Sequence, residues 1–116
     1  MRKLSLVLII LTLSGCVDLG RVGMHPDLKT AYFNGHQNAV ENCLYDAALN
    51  QKLSLMKDDP LPGGTKRYNL QDANYEDVAW VEVSKSGDQT SVDFYYAPDV
   101  RSSIFAMIDQ CQKSLH

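Results

Sequence analysis

Thiols and imidazoles are the most reactive groups in this chain, which carries three of each: Cys16, Cys43 and Cys111, with His25, His36 and His116. A structural zinc site needs such ligands in short paired spacings, and a redox dithiol needs Cys-x-x-Cys. Neither pattern is present, since the three cysteines lie far apart and no histidine stands at ligand spacing to another. Nucleophilic catalysis fares no better. Ser54, Ser84, Ser86, Ser91, Ser102 and Ser103 all lack the Gly-x-Ser-x-Gly turn that lifts a serine toward its base. Two carboxylate pairs, Asp58 with Asp59 and Glu76 with Asp77, sit beside proline or follow the Asn74-Tyr75 turn, where adjacent carboxylates are ordinarily solvated. Residues 72–77 imitate poorly the alternating oxygen ligands and glycine bend of a calcium loop. The sequence thus nominates no catalytic residue, no metal and no cofactor, and a protein that is not an enzyme is expected.

Cys16 stands in a different setting. Arg2 and Lys3 precede an apolar run over residues 4–13, broken only by Ser5 and Thr12, and the run ends in Leu13-Ser14-Gly15-Cys16. Ten residues of helix rise about 15 Å, roughly half a bilayer's hydrocarbon thickness, so the run is too short to span. Its charged start, apolar middle and small-residue end follow the grammar of a secretory leader. The segment resembles the signal peptide of bacterial lipoproteins, whose lipobox is Leu, a small residue, Gly or Ala, then Cys. The resemblance implies cleavage after residue 15, a diacylglyceryl thioether on Cys16 and a lasting hold on a membrane, because two or three acyl chains anchor where one does not. Val17, where enteric bacteria place Asp for inner-membrane retention, leans the expected location toward the outer membrane with the domain in the periplasm. The membrane is then one partner, through Cys16.

Loss of the leader removes Arg2 and Lys3 from 11 basic residues and leaves nine against 14 acidic ones, a net charge of −5. Such a balance speaks against nucleic acid as a partner. Lipidation would also consume one thiol of three, leaving Cys43 and Cys111 in a compartment that permits disulfides, with one intramolecular pairing between them.

The elements that must position these groups follow from periodicity. Residues 1–15 read as signal peptide, and 16–34 as lipidated terminus and tether, with Gly20, Gly23 and Pro26 and at most a helical turn over 27–33. A compact body fills 35–116. Its first helix, 35–51, is introduced by Asn34 and Gln37 at capping-box spacing and stripes Val40, Cys43, Leu44, Ala47 and Ala48 along one face. Proline and glycine break 52–64, short strands fit 53–56 and 65–70, and a hairpin pairs 78–83 with 90–96 across Ser86-Gly87-Asp88. Asp99 offers a cap for a closing helix over 100–115, with Ile104, Ile108, Cys111 and Leu115 on one face. The expected fold is α+β: helix, antiparallel sheet of two or three strands, helix, with both helices on one sheet face and joined by Cys43 and Cys111. In layout it is similar to small Gram-negative envelope lipoproteins without assigned function.

Strand alternation puts Trp80 and Tyr95 on the face opposite Val81 and Phe94. Exposed Trp and Tyr commonly anchor protein interfaces. The expectation is a noncatalytic binding or accessory lipoprotein presenting these rings to an envelope protein. The rival reading is an inhibitor of an envelope-attacking hydrolase such as lysozyme, offering the 58–64 loop to the enzyme's cleft.

Overall fold

The computed structural model describes residues 26–58 and 62–115. Their order is β1 (Asp27–Asn34), α1 (Gln37–Asn50), β2 (Ser54–Lys57), β3 (Lys66–Gln71), β4 (Asp77–Ser86), β5 (Gln89–Tyr96) and α2 (Arg101–Ser114). The strands form one sheet in the order β1-β5-β4-β3-β2, with every neighbouring pair antiparallel. No helix among the described residues is long and apolar enough to cross a membrane. Cys16 and residues 13–15, whose sequence resembles a lipobox, lie outside the described residues.

Alternation along the central strands divides the sheet into two faces. Val81, Val83, Val92, Phe94 and Tyr96 point to one side and are buried, together with Ala31 and Phe33 from β1 and Tyr68 and Leu70 from β3. Both helices cover that side. Val40, Leu44, Ala47 and Ala48 of α1 and Ile104, Met107, Ile108 and Cys111 of α2 close the core. A disulfide joins Cys43 to Cys111 where the two helices meet, with their Cα atoms 5.8 Å apart. The hairpin turns through Gly87 and Asp88, where the positive φ of Gly87 (61°) meets the backbone demand of a two-residue loop.

The strand count corrects the expectation of two or three. Residues 27–34, read from sequence as the end of a tether, pair along their whole length with β5. The strand hides from a periodicity search because only Ala31 and Phe33 are buried, while Leu28 and Tyr32 place apolar groups on the other face. Lys29 occupies a helix-side position yet keeps its ammonium at the rim, 5.7 Å from the Phe105 ring centre. β2 is only four residues long and buries only Leu55.

Helix starts also differ. Asn34 ends β1 and accepts a hydrogen bond from Gln89 Nε2 (3.0 Å), so it cannot cap α1; His36 occupies the cap position without a side-chain bond. Asp99 falls inside a 3-10 turn, Pro98–Val100, and Val100 precedes α2 at its cap.

Candidate functional site

Strand register places a single transverse row on the face that the helices leave bare. Leu28 of β1 is opposite Tyr95 of β5, Tyr95 is opposite Trp80 of β4, Trp80 is opposite Asn69 of β3, and Asn69 is opposite Met56 of β2. Four strand spacings make this row about 19 Å wide. Leu28 is 56% and Met56 48% exposed, and the rings between them are half-buried. Trp80 and Tyr95, which strand alternation expects on this face, stand directly together.

Their geometry is well defined. The Trp80 and Tyr95 rings stack with centroids 5.5 Å apart and an interplanar angle of 24°. The Arg67 guanidinium lies over the other flank of Trp80, 5.1 Å from the ring centre, so indole is held between a phenol and a cation. Arg67 Nε is buried without a hydrogen-bond partner and lies 3.7 Å from Asp58 Oδ2. Fixing Trp80 by stacking rather than by a covering layer leaves ring surface open at low entropic cost.

The next row is polar: Arg67, Glu82, Asp93 and Thr30 stand in register across four strands. Thr30 Oγ1 donates to Asp93 Oδ1 (2.6 Å). Partial burial, then the charges of Glu82 and Asp93, raise the Tyr95 hydroxyl above the ordinary phenol range, so it stays a neutral donor at physiological pH. Beyond the aromatic row, on the side away from the polar one, the β3–β4 turn holds Tyr75 84% exposed at a positive φ of 62°. Asp72 fixes that turn by accepting from the Asn74 and Glu76 amides at 2.9 and 3.1 Å.

At the opposite end of the sheet an open cleft of about 480 Å³ separates the β4–β5 turn from the start of α1, lined by His36, Asn38, Lys85 and Asp88 among others. No hydrogen bond or ion pair joins His36 to Asp88, and the Thr90 hydroxyl donates to the Gly35 carbonyl (2.9 Å). Among the described residues no three His, Cys, Asp or Glu side chains converge as a metal site would require.

Leu28, Met56, Asn69 and Arg67 escaped sequence reasoning. Leu28 and Met56 are placed by the register of β1 and β2, neither of which announces itself by alternation, and Asn69 and Arg67 by the register of β3 against β4. The 58–64 loop is only partly placed: residues 62–64 form a 3-10 turn and 59–61 lie outside the described residues. No protein-family profile, curated protein or solved structure matches this chain.

Proposed function

We propose that this protein is a lipid-anchored, noncatalytic binding or accessory protein of the bacterial envelope, and that the bare sheet face is its contact surface. The observation carrying the reading is the row Leu28-Tyr95-Trp80-Asn69-Met56, which crosses the sheet from edge to edge beside a polar row. A preset aromatic centre with polar neighbours is the composition of an interface hot spot. Anchoring rests on the resemblance of residues 13–16 to a lipobox, with Cys16 as the acylated residue. The partner is an envelope protein within reach of the anchored domain.

Two measurements test the two halves separately. Intact mass of the protein extracted from membranes should show the acyl additions on a chain beginning at Cys16. An unmodified Cys16 would refute the anchor. Crosslinking pulldown from intact envelopes should recover a partner that is lost with Trp80→Ala and kept with Lys85→Ala at the far end of β4. A partner indifferent to Trp80, or recovery of none, would refute the contact face.

A further inference from the structure

The two edges of the sheet are built differently. β2 is four residues long and is followed directly by Asp58, so it offers little to an incoming strand. β1 is eight residues long, pairs with β5 without a bulge, and contains no proline. Its two charged residues, Asp27 and Lys29, lie on the helix side of the sheet, away from Leu28, Thr30 and Tyr32. β1 thus lacks a bulge, an internal proline and a charge on its bare face, and its helix-side Lys29 holds its ammonium at the rim over Phe105.

One hydrogen bond fixes which backbone groups that edge presents. Gln112 Nε2 donates to the Tyr32 carbonyl at 3.5 Å, so this carbonyl points away from β5. In an antiparallel ladder the N–H and C=O of one residue point the same way, and the direction alternates along the strand. Ala31 and Lys29 therefore bond to β5, while Leu28, Thr30 and Tyr32 turn their N–H and C=O groups outward. The same three residues place their side chains on the bare face, with Leu28 and Tyr32 at 56% and 52% exposure.

We infer that β1 pairs with β1 of a second copy about a two-fold axis through Thr30, joining two five-stranded sheets into one of ten strands. The occupant follows from the strand's own symmetry. Antiparallel partners must share a sheet face, and hydrogen-bonded pairs must be drawn from the outward-facing set. Centring on Thr30 satisfies both: Leu28 meets the partner's Tyr32 twice, and Thr30 meets the partner's Thr30. On the helix side Lys29 meets the partner's Ala31, and Asp27 meets the partner's Phe33, so no like charges face each other. Shifting the axis to Ala31 would instead set Leu28 against the partner's Asn34 and lose both apolar pairs. Gln112 must release the Tyr32 carbonyl as the strands join. The row from Tyr95 to Met56 stays uncovered, so this pairing adds to the contact face described above and does not depend on it.

The test uses residues 16–116 with Cys16→Ser, which excludes lipid-driven association and retains the whole sheet, core and disulfide. Light scattering during size exclusion should give twice the monomer mass at high concentration. Leu28→Lys with Tyr32→Lys sets lysine against lysine at both sites and should give monomer. Leu28→Lys with Tyr32→Glu sets opposite charges together and should restore dimer. Both altered positions, Leu28 and Tyr32, are solvent-exposed in the monomer, and circular dichroism checks that each variant keeps the fold. A parent that is monomeric at every concentration, or a dimer equally strong in both double variants, would overturn the inference.

Discussion

Breaking the bond between Cys43 and Cys111 should be the most costly single covalent change to the domain. The two residues are 68 apart in sequence, and closing a loop of that length restrains the unfolded chain by about 4 kcal/mol. Domains of this size are stable by only about 5–15 kcal/mol, so the crosslink supplies a large share. Cys111 is fully buried, and replacing it with alanine also leaves a sulfur-sized void costing roughly 1 kcal/mol. Two comparisons separate these contributions. Reduction of the parent protein removes the crosslink and keeps both sulfur atoms, while Cys43→Ala with Cys111→Ala removes both. Urea titration can be followed through Trp80, the chain's single tryptophan. Reduction should lower unfolding free energy by about 4 kcal/mol, and the double variant by about 5, with the midpoint of thermal unfolding falling roughly 15–30 °C. A loss below about 1 kcal/mol on reduction would refute the reasoning, because the crosslink would then restrain the unfolded chain hardly at all.

Three further outcomes follow from particular contacts. Phe33→Ala should cost about 3–5 kcal/mol because the ring is fully buried, whereas Leu28→Ala should change stability by less than about 1 kcal/mol; equal small effects in urea titration would mean that residues 27–34 do not form β1. The Tyr68 hydroxyl donates to Glu41 Oε1 at 2.5 Å, a charge-assisted bond, and Tyr68→Phe should cost about 1.5–3 kcal/mol by the same measurement. Burial, and then Glu41 itself, raise the Tyr68 pKa above its unfolded value; its contribution is present in full below about pH 10 and is lost progressively above that, as pH rises toward the higher folded value, so Tyr68→Phe should flatten the alkaline fall in stability, and an unchanged profile would contradict this.

Where the sequence was legible, burial was one-sided. Val92, Phe94 and Tyr96 alternate with Ser91, Asp93 and Tyr95, and the Val40-to-Ala48 and Ile104-to-Cys111 stripes each mark one helix face, so the hairpin, both helices and the cysteine pair could be located. Edge strands obey a weaker rule. β1 carries apolar groups on both faces, and β2 is too short for a period to emerge. The contact row suffered for the same reason. Trp80 and Tyr95 could be put on one face from their own strands, but Leu28 joins them only through the pairing of β1 with distant β5, and Asn69 and Met56 only through the register of β2, β3 and β4. Capping failed at Asn34 because the same side chain that could have capped α1 is engaged by Gln89 across the sheet.

The central claim, that the bare sheet face is where this protein meets its partner, is tested most directly by photocrosslinking from that face in intact envelopes. Benzoylphenylalanine placed at Trp80, and separately at exposed Asp109 on α2, samples the bare side and the helix side of the same molecule. A discrete crosslinked partner is expected from position 80 and none from position 109. The same product from both positions, or one from position 109 alone, would contradict the claim.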